Sequence, residues 1–440
     1  MRSIFGGLCA ALVTAVLAAP APPVPAAAEP TPEPVRILLV GDSVTQGSAG
    51  DWTWRYRLWQ HLAAAGVPVD LVGPRTDLYD NVADEHGSLA YADGAFDRDH
   101  AARWGMQVEV LDVPIADLVA EHRPDVVVEM LGFNDLYAQR TPETVAARIG
   151  RFVDEARTAD PTVDVVLAEA TQSWFPAVPE LNARLRSVAA AATTDGSRVV
   201  VAATAAGHDA LADTWDGSHP NARGEVRIAW AVADALHGLG VGPAADRAVP
   251  FPPVGPRSGA RLSAVPRDAS ATLAWTGPPG ATSQYVWVRD VTAGQAWTRL
   301  PFRVAGGAWT ARYLTNGHRY DYRLQPVKGD DEPGGRVFSN VVRVAPSPPP
   351  GAPRRLAGDA GRRCAVLTWL APRHARSYQV QRRTPYGWRT LGRTIRPRYL
   401  ATGLPRAAAW TFRVRSWRGD QRGDAATVRV PRGGPAAACG

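Results

Sequence analysis

Two short segments of the sequence carry side chains that together could perform nucleophilic catalysis. The predicted strand 35–40 is followed by a glycine, an aspartate and then Ser43. A tight turn there can present the Ser43 hydroxyl to a crevice. Asp216 stands three residues before His219, just ahead of a segment of helical length. A histidine can take the proton of a serine hydroxyl, and a carboxylate fixes the tautomer of the imidazole and stabilises its positive charge. The spacing is therefore compatible with acyl transfer.

A further segment, Gly132-Phe133-Asn134-Asp135, follows the predicted strand 126–131. Acyl transfer needs preorganised hydrogen-bond donors for the developing oxyanion. The Ser43 backbone N–H, the Asn134 amide and the N–H of a glycine could supply them. Asp42 could orient Ser43, but a role in a turn or helix cap is at least as plausible.

The elements that would position these side chains alternate between strand and helix. Short aliphatic runs predict buried parallel strands, and longer stretches predict helices. The predicted strands are 35–40, 67–72, 126–131, 163–168 and 198–202, and the predicted helices are 53–65, 141–159, 179–193 and 221–239. This alternation predicts an α/β domain, an open parallel sheet with helices on both faces. Functional sites in such sheets lie beyond the carboxyl ends of the strands.

The three segments, in this order, resemble the SGNH or GDSL hydrolases, which are esterases, lipases and acyl-hydrolases of flavodoxin-like three-layer α/β/α fold. The resemblance covers about residues 35–242. It implies that Ser43 is the nucleophile, His219 the general base and Asp216 its orienting carboxylate. It also implies an oxyanion hole formed by Ser43, Asn134 and a glycine, for which Gly105 is the best candidate and Gly94 the alternative. No cofactor is implied.

The chain after residue 250 is rich in strand-forming residues and contains two related units, 251–345 and 353–433, separated by a proline-rich stretch. Each has an early Trp (Trp275, Trp369) and a late aromatic residue (Tyr320, Trp410) that follows a leucine by six positions. This pattern predicts two immunoglobulin-like β-sandwich domains. They resemble fibronectin type III domains, with Trp410 in place of the corner tyrosine. Either a spacer or a binding role is open, and a spacer is slightly favoured.

Charge is segregated along the chain. Residues 1–250 hold 18 Lys and Arg against 33 Asp and Glu, residues 251–345 hold 12 against 6, and residues 346–440 hold 19 against 3. The strongly basic C-terminal domain could bind an anionic polysaccharide or another cell-surface polymer, although a solvated basic face is the simpler interpretation. We expect no nucleic-acid partner. Asp135, Asp209 and Asp213 match no calcium or zinc pattern, so we expect no metal.

The N-terminus predicts export. A basic residue, an apolar stretch and the small residues Ala26-Ala27-Ala28 form a signal peptide over residues 1–28, too short before its prolines to span a membrane. The mature protein would then be secreted, with no transmembrane segment. Its two cysteines, Cys364 and Cys439, could pair in an oxidising compartment, but the sequence leaves this open.

These observations favour a secreted serine esterase that deacetylates a polysaccharide or hydrolyses a related ester of a small acyl group. A lipase or lysophospholipase acting on lipid esters is the alternative within the same chemistry. A catalytically inactive surface-binding protein is the alternative outside it. The complete set of Ser43, Asn134, Asp216 and His219 disfavours an inactive protein.

Overall fold

The computed structural model describes residues 33–330 and 337–432, together with Met1 and residues 6–7. Most of the predicted signal peptide and Cys439 lie outside the described residues. Cys364 is disulfide-bonded. Within the described residues, no helix is long and apolar enough to cross a membrane.

The N-terminal domain is built on a parallel sheet. Its strands are β1 (Val35–Gly41), β2 (Val69–Val72), β6 (Val126–Met130), β7 (Asp164–Ala168) and β8 (Val199–Ala202), in the spatial order β2-β1-β6-β7-β8. A two-residue strand, β5 (Ala101–Ala102), pairs with the carboxyl end of β1. A separate antiparallel pair, β3 (Leu78–Asp80) and β4 (Glu85–Ser88), lies after β2. All five predicted strands are present.

Helices cover both faces of this sheet. They are α1 (Ser43–Gln46), α2 (Trp54–Ala64), α3 (Ile115–His122), α4 (Phe133–Tyr137), α5 (Pro142–Ala159), α6 (Val178–Ala192) and α7 (Ala222–Gly238). One hydrophobic core joins the sheet to α3, α5 and α6, and a second joins it to α2 and α7. The three-layer α/β/α fold is therefore confirmed. The short helices α1, α3 and α4 were not predicted.

The first C-terminal domain is a sandwich of two antiparallel sheets. One contains β9 (Arg261–Arg267), β10 (Ser270–Thr276) and β13 (Ala308–Arg312); the other contains β11 (Ser283–Asp290), β12 (Thr298–Ala305), β14 (Tyr320–Val327) and β15 (Val342–Val344). Trp275 and Tyr320 both belong to the buried core. The Tyr320 hydroxyl accepts a hydrogen bond from the Thr315 N–H at 3.0 Å, which fixes the corner before β14.

The second C-terminal domain repeats this architecture. One sheet contains β16 (Arg354–Ala360), β17 (Ala365–Leu370) and β20 (Arg398–Ala401); the other contains β18 (Ser377–Thr384), β19 (Gly387–Thr394), β21 (Ala409–Arg418) and β22 (Gln421–Pro431). The core includes Trp369, Leu404 and Trp410. The Trp410 indole donates to the Pro405 carbonyl at 3.0 Å, five residues earlier, and so replaces the corner hydrogen bond of a tyrosine. The two predicted β-sandwiches are confirmed.

Candidate active site

Ser43 is the first residue of α1, directly after the carboxyl end of β1. Asp42 caps this helix, because its Oδ1 accepts the Val44 N–H at 2.9 Å. Gly41 is required at the turn, since a Cβ there would lie 2.2 Å from Thr45 Oγ1. Of the two roles considered for Asp42, the structure therefore shows the cap. The turn leaves the Ser43 side chain at the edge of the sheet where the other site residues also lie.

Asp216 and His219 form a close pair before α7. Asp216 Oδ2 lies 2.6 Å from His219 Nδ1, and Asp216 Oδ1 accepts the backbone N–H groups of Ser218 at 3.0 Å and His219 at 2.8 Å. Burial raises the pKa of Asp216, but the hydrogen bonds from His219 outweigh this effect and hold the pKa below its ordinary value. Asp216 is thus an ionised acceptor that fixes the imidazole orientation.

The loop that carries this pair is braced at both ends. The Asn221 amide donates to the carbonyls of Ala212 at 3.0 Å and Thr214 at 3.2 Å, while its Oδ1 caps the start of α7. The Trp215 N–H donates to the His219 carbonyl at 3.0 Å. The chain therefore turns tightly between Thr214 and Asn221 and returns directly into the helix.

Aromatic rings from neighbouring segments of the chain stack on the His219 imidazole and hold it in place. The Trp104 ring stacks on His219 with centroids 4.2 Å apart and an interplanar angle of 20°, and Trp215 stacks on it at 5.2 Å and 21°. Tyr79 stacks in turn on Trp104 at 4.5 Å. The sequence did not predict this stack. The only available signal was that one tryptophan directly precedes Asp216 and the other directly precedes Gly105.

Asn134 lies next to the turn that carries Ser43. Its Nδ2 donates to Asp42 Oδ2 and to the Met106 carbonyl, both at 3.1 Å. Both N–H groups of the amide are therefore engaged by protein acceptors. For Asn134 to stabilise an oxyanion, one of these hydrogen bonds must be exchanged for the substrate oxygen, so its predicted role remains a prediction.

Gly105 lies in a loop that is tied to the same edge of the sheet. It is exposed, has a φ of +79°, and no atom would come within 4 Å of a Cβ at this position. The preceding N–H, of Trp104, donates to Gln46 Oε1 in α1 at 2.7 Å. Asp135 binds the following part of the loop by accepting the N–H groups of Val108 at 2.9 Å and Glu109 at 3.1 Å. The loop is thus held beside α1, and a donor role for Gly105 remains a prediction.

Residues 39–227 match the model of the GDSL-like Lipase/Acylhydrolase family. The chain belongs to this family through its N-terminal domain. That domain is therefore a hydrolase of ester bonds.

Carbohydrate esterases and fibronectin type III domains are among the solved structures similar to the chain. A family 3 carbohydrate esterase from Talaromyces cellulolyticus has 30% sequence identity and a TM-score of 0.41, over 47% of this chain and 97% of the other. A family 3 carbohydrate esterase from Clostridium thermocellum has 25% identity and a TM-score of 0.40 over the same shares. A segment of two fibronectin type III domains from chicken tenascin has 16% identity and a TM-score of 0.21, over 40% of this chain and 98% of the other. No curated protein matches the chain.

The carboxyl groups beneath the GDSL-like site lie in a low-dielectric environment. Burial raises the pKa of Glu129, at the end of β6, to about 8 and that of Asp42 to about 6. The nearby charge of His219 opposes the rise at Asp42, as does the hydrogen bond from Val44. This electrostatic effect links Asp42, next to Ser43, to His219.

The predicted triad is only partly joined in the structure. Asp216 and His219 are in contact, but within the described residues no hydrogen bond joins the Ser43 hydroxyl to His219. Trp104 connects the two segments, since its N–H binds α1 and its ring stacks on His219. Catalytic hydrogen bonds often tighten only when substrate binds. Direct transfer from Ser43 to His219 therefore stays a prediction.

An aromatic surface borders the GDSL-like site on its other side. Trp174 is 53% exposed and donates from its indole N–H to the Gly217 carbonyl at 2.8 Å, within the loop that carries His219. Phe133, Tyr137 and Phe175 contact it or one another, and Tyr137 is 67% exposed. In the described part of the chain, no group of three or more His, Cys, Asp or Glu side chains is arranged to hold a metal ion.

Proposed function

We propose that the protein is a secreted serine esterase that removes short acyl groups, such as acetyl, from a polysaccharide. The observation that carries the proposal is the 2.6 Å contact between Asp216 Oδ2 and His219 Nδ1 at the sheet edge where Ser43 begins a helix. An imidazole oriented in this way can accept a proton at its free nitrogen, Nε2.

The reaction would proceed in two halves. Ser43 Oγ attacks the ester carbonyl carbon while its proton passes to His219 Nε2, and the carbonyl electron pair moves to the oxygen. Collapse of this intermediate expels the alcohol, which takes the proton from His219, and leaves the acyl group on Ser43. Water then repeats the sequence and releases the acid. The Ser43 N–H, the Gly105 N–H and the Asn134 amide would stabilise the oxyanion.

The aromatic surface around Trp174 supports a carbohydrate substrate. A half-exposed indole next to the His219 loop offers a flat apolar face with one polar edge, and such a face can pack against the C–H face of a sugar ring. Two similar proteins with 25–30% sequence identity are named carbohydrate esterases, which is the class of activity in the proposal. The proposal rests on the site itself.

Secretion and attachment to an anionic polysaccharide complete the proposal. The composition of residues 1–28 supports export. Attachment is supported by the outer face of the β19-β18-β21-β22 sheet, which we call the arginine–tryptophan face; its residues are Arg383, Trp388, Arg393, Arg413, Arg415 and Trp417. Arginine groups lie 4.3 Å from the Trp388 centroid and 4.8 Å from the Trp417 centroid. Burial and the neighbouring arginines lower the pKa of Arg413, so an anion there would relieve repulsion.

The test is hydrolysis of an ester series from acetate to long acyl chains, and of a chemically acetylated polysaccharide, by the full-length protein. The Ser43→Ala variant should lose at least about 10³-fold in kcat/KM. Ser187→Ala, on the exposed face of α6, is the matched control and should retain full activity.

An optimum at acetate, with release of acetate from the polysaccharide, is the expected result. An optimum at long chains would replace the proposed substrate by a lipid ester. Full activity in Ser43→Ala would overturn the mechanism. A folded wild-type protein without activity on any of these esters would favour a surface-binding protein.

A further inference from the structure

The first β-sandwich contacts the loop that carries Asp216 and His219. The contact is made by the sandwich residues that directly follow β14. Lys328, the only lysine in the chain, is 6% exposed. Its ammonium donates to the Ala49 carbonyl at 3.0 Å and to Asp51 Oδ1 at 2.6 Å, both in the N-terminal domain. The same ammonium lies 4.9 Å from the centroid of the Trp215 ring. A single cation from the sandwich thus binds both the loop after α1 and the residue next to Asp216.

The backbone after Lys328 makes this contact close. The Asp330 N–H donates to the Trp215 carbonyl at 2.6 Å. Gly329 has a φ of +56°, and a Cβ there would lie 1.9 Å from the Trp215 carbonyl oxygen. Only glycine fits between the two segments. Trp215 is therefore held by the sandwich at both its ring and its carbonyl group.

A second contact fixes the neighbouring loop. A Cβ at Gly280 of the sandwich would lie 2.0 Å from the Ala49 carbonyl oxygen, and a Cβ at Gly50 would lie 2.5 Å from the Pro279 carbonyl oxygen. Both glycines have positive φ, +72° and +84° respectively. The two domains thus meet backbone to backbone at the point where Lys328 reaches across.

The contact with Trp215 leads to His219. The Trp215 ring stacks on the imidazole at 5.2 Å, and the Trp215 backbone N–H donates to the His219 carbonyl. Burial raises the pKa of Asp51, and the charge of Lys328 opposes this rise. Breaking a buried ion pair is costly, because removal of one partner leaves an uncompensated charge. The chain of contacts therefore runs from a fixed ion pair through Trp215 to the predicted base.

We propose that Lys328 is a positioning residue for ester hydrolysis: from the first β-sandwich it holds the Trp215 ring and thereby fixes the plane of the His219 imidazole. The proposal rests on the proposed function, because it takes His219 as the base. It assigns the sandwich a role that a spacer would not have. Lys328 is buried, and the effect that we assign to it passes through the ring of Trp215.

The experiment compares the full-length wild-type protein with Lys328→Met. Two readouts are kcat and KM for an acetate ester, and the proton NMR signal of the Nδ1–H that joins His219 to Asp216. We expect kcat to fall roughly 10- to 100-fold with KM changed less than about twofold, because misplacement of the base affects the chemical step rather than binding. The Nδ1–H signal should broaden or disappear.

The matched control is Arg289→Met. Arg289 forms a two-point contact with the buried Asp321 inside the same sandwich, at 3.0 and 2.8 Å, away from Trp215. This variant weakens the sandwich without touching the catalytic loop, so it should keep the wild-type kcat and Nδ1–H signal. An equal loss of kcat in Arg289→Met would show that the stability of the sandwich alone matters and would overturn the positioning role.

A second variant keeps the test decisive if Lys328→Met does not fold. The double variant Asp51→Asn/Lys328→Met removes both charges, so no unpaired carboxylate remains buried. It should show the same fall in kcat and the same NMR change. A wild-type kcat and signal in either folded variant would overturn the proposal. Failure of the proposed function would be recognised separately, because Ser43→Ala would then keep its activity. The NMR signal would still report whether Lys328 fixes the imidazole.

Discussion

At the scale of single residues, the pair of Asp216 and His219 is the best-defined part of the site. Asp216 accepts three hydrogen bonds, from the His219 ring and from two backbone N–H groups, and each of them favours the ionised carboxylate. Asp216→Asn keeps the shape but replaces one acceptor oxygen by a donor, so the imidazole would lose its correct tautomer. We expect kcat to fall by about 10³- to 10⁴-fold.

Steady-state kinetics on an acetate ester would measure this effect. Asp117→Asn, on the exposed side of α3, is the matched control and should leave kcat unchanged. A decrease of less than tenfold in Asp216→Asn would contradict the assigned role. A fall in KM without a fall in kcat would contradict it equally, since the carboxylate is expected to act in the chemical step.

Glu129 predicts a pH dependence of stability. Its folded-state pKa, about 8, lies above its ordinary value of 4.5 because the side chain is buried. Between these pH values the folded protein holds a proton that the unfolded chain has released, so the stability contributed by this proton is complete at low pH and is lost as pH rises toward 8. The effect between pH 5 and 7.5 amounts to as much as about 3 kcal/mol.

Glu129→Gln removes this titration. Calorimetry of the full-length protein at pH 5 and pH 7.5 should show that the Tm difference between variant and wild type shifts in favour of the variant at the higher pH. Glu225 also has a raised pKa, but it is common to both proteins and cancels in the comparison. An unchanged Tm difference across this range would contradict the prediction, and Glu143→Gln, at the start of α5, should give that flat result.

At the scale of elements, the loop between β5 and α3 depends on α4. Asp135, in α4, accepts the N–H groups of Val108 and Glu109, and this fixes the loop that carries Gly105. Asp135→Ala removes both acceptors. We expect faster hydrogen exchange at these two amides and a kcat lowered roughly tenfold, because the predicted oxyanion donor loses its position.

Hydrogen exchange by mass spectrometry, together with kinetics, would check this prediction. Asp80→Ala is a matched control, since Asp80 also accepts two backbone N–H groups, those of Val82 and Ala83, in an exposed turn. It should change exchange only locally and leave kcat unaltered. Faster exchange at Val108 without a fall in kcat would show that the Gly105 loop is not part of the oxyanion site.

The elements also show which parts of the fold could be predicted from sequence. The five central strands are buried β-branched runs, and α5 and α7 begin at the side-chain caps Thr141 and Asn221, so local signals were sufficient. The helix α3 has only eight residues and begins directly after Pro114, which provides no side-chain cap. The one-turn helices α1 and α4 are shorter than any periodic pattern. Their formation depends on tertiary contacts.

The stack around His219 had only a weak local signal, the two tryptophans that directly precede Gly105 and Asp216. Trp104 and Trp215 are 111 positions apart, and both reach His219 only because β5 and the loop before α7 lie at the same sheet edge. The sequence predicted the pair Asp216 and His219, because these side chains are only three positions apart on one loop and therefore lie close together. It could not predict that both N–H groups of Asn134 are already engaged.

At the scale of the whole molecule, contacts between domains could not be predicted from motifs. The sequence slightly favoured a spacer role for the sandwiches, yet Lys328 reaches into the N-terminal domain and Gly329 packs on Trp215. The second sandwich contacts the first through an ion pair between Arg267 and Asp420. The first sandwich is thus part of the frame around the site, while the second is free to present its own surface.

The last prediction concerns that surface. If the arginine–tryptophan face binds an anionic polysaccharide, Arg413→Gln/Arg415→Gln should weaken binding to heparin, used as the probe, by roughly 2- to 30-fold at low salt, since exposed ion pairs contribute about 0.2–1 kcal/mol each. Binding of the wild-type protein should also fall as salt shortens the Debye length below about 10 Å.

Arg312→Gln/Arg319→Gln is the matched control, because it removes the same charge from exposed positions of the first sandwich. Affinity chromatography at several salt concentrations would compare the three proteins. Equal weakening in both double variants would mean that only the net charge attracts the polymer, and the face would then be a solvated basic surface. Selective weakening in Arg413→Gln/Arg415→Gln is expected, because Arg413 is oriented by Gln381 Oε1 at 2.8 and 2.6 Å and packs on Trp388, so its position is fixed before an anion binds.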